Sequence, residues 1–106
     1  MKILKAGIVV VGVAGMFFSA NSVFADGAAL FTAKTCVACH GAGGKMPIMP
    51  NYPKLAGQND AYCQEQVKDI RDGKRTNGMT AMMKPIVATV TDAEVVELCA
   101  YISGEK

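Results

Sequence analysis

The 106-residue sequence lacks the features that mark several common classes of protein. It has one histidine and one Cys-x-x-Cys pair, so the usual set of four zinc ligands is not favoured. No segment alternates apolar and polar residues as a β-strand does, and no internal repeat is visible. The 11 basic residues nearly balance the 9 acidic ones, without the basic stripe that nucleic-acid binding requires. We therefore predict a small domain that has no β-strands and does not bind nucleic acid.

The longest apolar run lies near the start of the chain. Two lysines fall within residues 1–5, an apolar run covers residues 6–18, and a small-residue cleavage pattern ends at Ala25. The run is shorter than the ~20 apolar residues of a membrane-spanning helix. We therefore predict a signal peptide over residues 1–25, cleaved after Ala25, and a mature domain over residues 26–106 in the periplasm. No stable membrane anchor is expected after cleavage; an uncleaved anchor is the alternative.

The most specific pattern is the pentapeptide Cys36-Val37-Ala38-Cys39-His40, a signature of c-type haem attachment. Two cysteines on one helical turn can form thioethers with the two vinyl groups of one porphyrin, and the next residue can bring an imidazole to the iron. A thioredoxin-like redox pair would instead accompany a βαβ unit. We predict one covalently attached haem c, held by Cys36 and Cys39, with His40 as the proximal ligand. A metal-binding or disulfide-stapled domain without haem is the alternative.

Apolar spacing predicts an all-α domain with three main helices and two long loops. The first helix runs into the haem motif, the second begins after an Asn-Asp pair, and the third begins with a capping box. Loops of this length in a small domain usually have a function, and wrapping one haem would be sufficient. The predicted helices span residues 28–39, 59–73 and 91–104, and the predicted loops span residues 41–58 and 74–90.

These segments resemble the class I c-type cytochromes over nearly the whole mature length, most closely the cytochrome c4 and c-553 branch. The resemblance implies a small class I cytochrome c-like fold and a single-electron carrier with His/Met-ligated haem. Members of the c4 group carry two haem domains, whereas this chain is similar to a monohaem relative because it has one haem motif. The residues that carry the resemblance are 27–31, 36–41, 52–58, 62–73, 75–77 and 91–102.

The sixth iron ligand must be something other than a second histidine, since His40 is the only one in the chain. Several methionines cluster just before the last predicted helix, although methionine also serves as ordinary packing. In the resembled family, the ligand lies about eight residues ahead of the residue that caps the final helix. That cap is Thr91 here, which selects Met83. The alternatives are Met82, Met79, and then Met46, Met49 or no methionine at all.

The resemblance also implies a hydrogen bond that orients the proximal imidazole. Such a ring normally donates its other N–H to a carbonyl oxygen. In class I cytochromes this carbonyl belongs to a proline just after the haem motif. We expect Pro47 in this role, with Pro50 as the alternative.

The remaining cysteines, Cys63 and Cys99, lie on the apolar faces of the second and third predicted helices. They can be two small buried thiols, which is common for free cysteine. An oxidising compartment favours a Cys63–Cys99 disulfide instead. In the resembled fold these helices pack near one another, which is compatible with a bridge.

The predicted function is a single-electron carrier that works between membrane-bound or soluble redox proteins, such as respiratory or dehydrogenase partners. It is not expected to be an enzyme, because no substrate pocket or acid–base pair is evident. Lys45, Lys54 and Lys84 in the predicted loops either steer a partner or simply solvate the surface. The alternative functions are a haem sensor or peroxidatic protein with an open sixth position, or a dedicated electron-entry subunit of a larger oxidoreductase.

Overall fold

The computed structural model describes residues 26–106, and this part of the chain contains helices and loops but no β-strand. The predicted signal peptide over residues 1–25 lies outside the described residues. None of the helices within 26–106 is long and apolar enough to cross a bilayer. The helices are α1 (Gly27–Ala33), α2 (Cys36–His40), α3 (Asp60–Arg71), α4 (Thr80–Val87) and α5 (Asp92–Ser103), with a 3₁₀ turn at Ala42–Gly44.

The helix expected over residues 28–39 is in fact two helices. The side chain of Asp26 accepts a hydrogen bond from the backbone of Ala29 and caps α1, which ends at Ala33. Thr35 then adopts a left-handed conformation with φ of 64°, which is unusual for a β-branched residue. A left-handed residue interrupts the helical hydrogen bonds, so the prediction of one continuous helix was wrong. The break allows the haem motif on α2 to take a direction different from that of α1.

The segment predicted as a loop over residues 74–90 contains the helix α4. The loop prediction was wrong. A proline in a helix interior lacks the N–H that would bond to the preceding turn, so Pro85 favours a loop, yet it lies inside this helix. The helix nevertheless forms over two turns. Val87 faces the core with only 4% of its surface exposed, and this burial favours the helical conformation.

The core is built around α5. Its buried residues Val95, Leu98, Cys99 and Ile102 are spaced i, i+3, i+4 and i+7, as the sequence pattern predicted. The N-terminus of α1 packs closely on this helix, and a side chain at Gly27 would collide with the backbone of residue 97 and the side chain of residue 101.

The aromatic contact between α1 and α5 adds to this packing. Phe31 is 3% exposed, and its ring centre lies 5.6 Å from that of Tyr101. Burial of a side chain of this size stabilises the fold by about 1.5–3 kcal/mol. The contact fixes α1 on α5 immediately before the chain enters the haem motif.

A disulfide and a set of polar contacts join α3 to α5. Cys63 on α3 is bonded to Cys99 on α5. At the end of α3, Arg71 donates hydrogen bonds to the carbonyl oxygen of Val90, at 2.9 Å, and to Asp92 Oδ1, at 2.6 Å. The bond from Arg71 holds the pKa of the exposed Asp92 carboxyl below its ordinary value.

The start of α5 has the capping box that the sequence predicts. Thr91 Oγ1 accepts a hydrogen bond from the Glu94 backbone at 3.2 Å, and Glu94 Oε1 accepts one from the Thr91 backbone at 2.9 Å. The backbone bond from Thr91 lowers the pKa of the Glu94 carboxyl, with a smaller contribution from Lys34. Lys34 lies 3.4 Å from Glu94 and also donates to the carbonyl oxygen of Thr89, so the end of α1 is tied to the start of α5.

Candidate functional site

A cavity of about 330 Å³ lies between α2, α3, α4, α5 and the loop that precedes α3. Its lining is predominantly apolar, which suits a flat hydrophobic group better than a small polar substrate. Among the described residues, no cluster of His, Cys, Asp and Glu could by itself hold a bare metal ion. The apolar residues that line the cavity include Phe31, Val67, Ile70, Ile86, Val87, Leu98 and Ile102.

The haem motif brings three reactive groups to this cavity. Cys36, Cys39 and His40 all line it, and both thiols are free and partly buried. They share one short helix, so the cysteines at i and i+3 lie on the same face. Burial raises the pKa of the Cys36 thiol, which is therefore protonated at neutral pH.

His40 is held in one orientation by a backbone carbonyl. The residue is 5% exposed, and its Nδ1 lies 2.8 Å from the carbonyl oxygen of Pro53. A carbonyl oxygen only accepts hydrogen bonds, so Nδ1 carries the proton and donates it. The other ring nitrogen, Nε2, therefore has a free lone pair with which it can bind iron.

The expectation that Pro47 or Pro50 supplies this carbonyl was wrong. Gly41 turns the chain after the haem motif with φ of 82°, and the backbone N–H of Ile48 then donates to the carbonyl oxygen of Cys39 at 3.0 Å. The segment around Pro47 is thus fixed at the end of α2. The chain reaches the imidazole only later, at Pro53.

The loop that carries Pro53 is anchored on the 3₁₀ turn. The carbonyl oxygen of Gly44 accepts hydrogen bonds from the backbone of Leu55, at 2.9 Å, and from that of Ala56, at 3.1 Å. These bonds hold the preceding residues beside the imidazole. The sequence shows Pro53 within the stretch Tyr52–Gln58 that carries the family resemblance, but nothing local distinguishes it from the other prolines.

The methionines of α4 reach the same cavity. Met79, Met82 and Met83 all line it. Met79 is 41% exposed and Met82 is 54% exposed, whereas Met83 is only partly exposed. The sulfur of Met82 lies 3.9 Å from the hydroxyl of Tyr52, which donates a weak hydrogen bond to it.

The two other methionines that the sequence left open lie elsewhere. Met46 and Met49 are exposed, at 78% and 44%, and neither belongs to the described residues that line the cavity. The arrangement therefore brings an imidazole together with three candidate thioethers, all three of them on or next to α4.

The remaining cysteines also border the cavity, joined in the Cys63–Cys99 disulfide. Of the three lysines proposed for steering, only Lys54 lines it; Lys45 lies 3.4 Å from Glu105, and Lys84 is exposed on α4.

Two polar side chains that the sequence did not single out also face the cavity. Thr80 is 5% exposed, and its hydroxyl has no hydrogen-bond partner among the described residues. Arg75 lies on the same lining. Arg75 belongs to the stretch that carries the family resemblance, whereas no local pattern marks Thr80, whose surroundings depend on where α4 packs.

These residues fit a haem. An apolar cavity accommodates the porphyrin, two thiols on one helical turn match its vinyl groups, and a buried imidazole with a free nitrogen can bind iron. Residues 24–105 of the sequence match the family model of cytochrome c. The chain belongs to the cytochrome c family. Membership of this family supports covalently attached haem c as the cofactor.

Individual relatives agree with this assignment. Cytochrome c4 from Pseudomonas aeruginosa is 36% identical over 105 residues, which are 99% of this chain and 49% of that protein. A thiosulfate dehydrogenase electron acceptor from Thiomonas intermedia is 37% identical over 97% of this chain and 45% of its own length. The chain spans about half the length of the curated relatives that it matches.

The fold is also shared with a solved structure. Reduced recombinant cytochrome c4 from Pseudomonas stutzeri superposes with a TM-score of 0.61 and 36% identity, over 67% of this chain and 38% of that chain. The all-α, class I cytochrome c-like fold and the resemblance to the c4 branch are thus confirmed.

Proposed function

We propose that this protein is a periplasmic single-electron carrier with one His/Met-ligated haem c. Support comes from the geometry around His40. The ring is buried, and its Nδ1 is hydrogen-bonded to the carbonyl oxygen of Pro53. The methionines on or next to α4 line the same cavity. An imidazole and a thioether on two walls of one apolar cavity are the pair of ligands typical of electron-transfer haem with a raised reduction potential.

Different residues of the chain would attach the porphyrin and bind the iron. Cys36 and Cys39 attach the porphyrin through thioethers, and His40 binds the iron with its orientation fixed by Pro53. The haem supplies a reversible one-electron couple. The apolar side chains of α3, α4 and α5 exclude water from it, which limits the reorganisation that accompanies a change of charge.

Met83 is the proposed sixth ligand. Met82 is more than half exposed and its sulfur is engaged by Tyr52, while Met79 precedes the first turn of α4 and is 41% exposed. Met83 is the least exposed of the three and lies within the helix. The spacing from Thr91 in the resembled family selects the same residue.

We infer one haem because the 106 residues contain one Cys-x-x-Cys-His motif. We place the mature protein in the periplasm because residues 1–25 have the pattern of a cleaved signal peptide. A relative named as an acceptor for thiosulfate dehydrogenase supports a dehydrogenase as one class of electron donor. We propose that the protein is a mobile carrier and not an enzyme.

The test is an optical comparison of three methionine variants of the exported holoprotein. We expect pyridine haemochrome analysis of the wild type to show one covalently bound haem per chain. The ferric protein should show the weak near-red band of sulfur-to-iron charge transfer. We expect M83A to lose this band and to bind carbon monoxide when reduced, whereas M82A and M79A keep it.

Each outcome separates the proposal from its alternatives. Loss of the band in M82A or M79A instead would reassign the ligand. A high-spin wild type that binds carbon monoxide readily would favour a sensor or peroxidatic protein with an open sixth position. Purification with a stoichiometric large subunit would favour a dedicated electron-entry subunit.

A further inference from the structure

We propose that Tyr52 determines which methionine of α4 binds the haem iron. Its hydroxyl retains Met82 at the edge of the cavity and thereby leaves the sixth position to Met83. This inference rests on the proposed His/Met site and deepens it. Tyr52 is a positioning residue in this proposal, because it acts on the iron only through the two methionines.

The chain offers the iron two neighbouring thioethers. Met82 and Met83 are consecutive residues of α4, and both line the cavity. Consecutive residues of an α-helix point about 100° apart, which favours one of them at any given place in the cavity. Methionine, however, has three rotatable side-chain bonds and adapts to such differences. The direction of the helix therefore does not by itself select one sulfur.

A hydrogen bond distinguishes the two sulfurs. The hydroxyl of Tyr52 donates to the sulfur of Met82 at 3.9 Å, and within residues 26–106 this is the one hydrogen bond to a methionine sulfur. A thioether is a weak acceptor, so the bond is long and contributes little to overall stability. Met82 must nevertheless break it before its sulfur can move to the iron, whereas Met83 has no such contact to lose.

The hydrophobic effect acts in the opposite direction to this hydrogen bond. Met82 is 54% exposed, while Met83 is only partly exposed. Because burial of apolar surface is favourable, the side chain of Met82 would gain by moving from solvent into the cavity. The contact with Tyr52 is at the exposed edge and opposes this movement. A weak contact is sufficient, since it only has to bias a choice between two equivalent ligands.

Tyr52 is held in a loop of restricted geometry and does not follow Met82 into the cavity. Its backbone N–H donates to the carbonyl oxygen of Met49 at 3.1 Å. The next residue is Pro53, and a residue before proline is restricted to extended conformations. The loop then continues to the bonds that anchor it on Gly44. The hydroxyl is therefore a fixed point against which Met82 is held.

The same loop contacts both sides of the proposed iron site. The carbonyl oxygen of Pro53 orients the imidazole of His40 on α2, and the preceding residue, Tyr52, contacts Met82 on α4. Two consecutive residues thus position the proximal ligand and restrain the methionine that competes for the distal position.

The experiment measures the affinity of the reduced, exported holoprotein for carbon monoxide in the M83A background. This variant lacks the proposed sixth ligand, and Tyr52 keeps Met82 away from the iron. Y52F removes only the hydroxyl and retains the ring, so Met82 is released and competes with carbon monoxide. We expect M83A/Y52F to bind carbon monoxide roughly threefold more weakly than M83A. The ferric double variant should also regain part of the near-red band.

Two further variants serve as controls. Tyr62 is also exposed, at 49%, and borders the same cavity, but its hydroxyl donates to no methionine among residues 26–106. We therefore expect M83A/Y62F to bind carbon monoxide as M83A does. The triple variant M83A/Y52F/M82L replaces the competing thioether with a side chain of similar size. It should recover the carbon monoxide affinity of M83A and lose the near-red band again.

The outcomes distinguish this inference from the proposed function. A wild type without covalent haem, or without the near-red band, would overturn both. If the wild type has the band and M83A loses it, but M83A and M83A/Y52F bind carbon monoxide equally, only the role of Tyr52 is overturned. The same conclusion follows if the weaker binding persists in M83A/Y52F/M82L, because Tyr52 would then act without Met82.

Discussion

The two sides of the molecule are built differently. The side formed by α1, α3 and α5 has fully buried side chains such as Val95, a disulfide and capped helices. The side formed by α2, α4 and the loop between α2 and α3 has a left-handed threonine, a helix with an internal proline and exposed methionines. We expect the first side to supply most of the stability, and we propose that the second supplies the groups that hold the haem. Substitutions on the side of α1, α3 and α5 should therefore change the free energy of unfolding. Substitutions on the side of α2 and α4 should change the optical spectrum and the reduction potential.

Removal of the Cys63–Cys99 disulfide should have the largest effect on stability. The bridge closes a loop between residues 36 apart in the sequence. By the chain-entropy estimate it constrains the unfolded chain by about 3–4 kcal/mol. We expect C63A/C99A to lose about this much in guanidinium unfolding of the holoprotein, with the near-red band kept. A loss below ~1 kcal/mol would show that the α3–α5 contact does not depend on the bridge.

A pair of truncations compares the two sides directly. V95A removes two methyl groups from a site that is 0% exposed and does not border the cavity, so we expect a loss of about 2 kcal/mol and an unchanged spectrum. M82A alters an exposed side chain on α4, and we expect it to change the unfolding free energy by less than ~0.5 kcal/mol. Equal losses in the two variants would contradict the division between the two sides.

The capping box of α5 should contribute less than its core residues. T91A removes the hydroxyl that accepts from the Glu94 backbone and should lower the unfolding free energy by about 1 kcal/mol. T91S keeps this acceptor and is the matched control. If T91S unfolds like T91A, the methyl group of Thr91 matters and not its hydroxyl.

Acid should produce the smallest effect, because the Asp92 carboxylate is exposed and the Glu94 carboxylate is partly exposed. The folded pKa values of Asp92 and Glu94 lie below their ordinary values of 3.8 and 4.5. Each contribution to stability is thus present above the ordinary pKa and is lost as pH falls through the lowered folded pKa. We expect the stability difference between wild type and D92N to be constant above about pH 5 and to shrink below pH 4. If the stability difference between wild type and D92N persists at pH 2, it does not come from the ionised carboxylate of Asp92.

The sequence predicted the side formed by α1, α3 and α5 better than the side formed by α2, α4 and the loop between α2 and α3. The helices α3 and α5 have apolar residues at helical spacing and recognisable starts, so their positions followed from local patterns. The helix α4 was missed because Pro85 is a poor helix former in isolation, and it forms where Val87 can be buried. The break at Thr35 was missed because no glycine or proline marks it.

The sequence alone led to the proposed chemistry of haem attachment, because Cys36, Cys39 and His40 lie within one helical turn and five residues are enough to recognise the motif. It also limited the sixth ligand to a short list of methionines. Only the tertiary structure decided which carbonyl orients the imidazole, because Pro53 reaches it through the fold of a loop anchored on Gly44. The same holds for the unpartnered hydroxyl of Thr80. Its surroundings depend on how α3 and α4 pack, and such long-range contacts leave no local pattern.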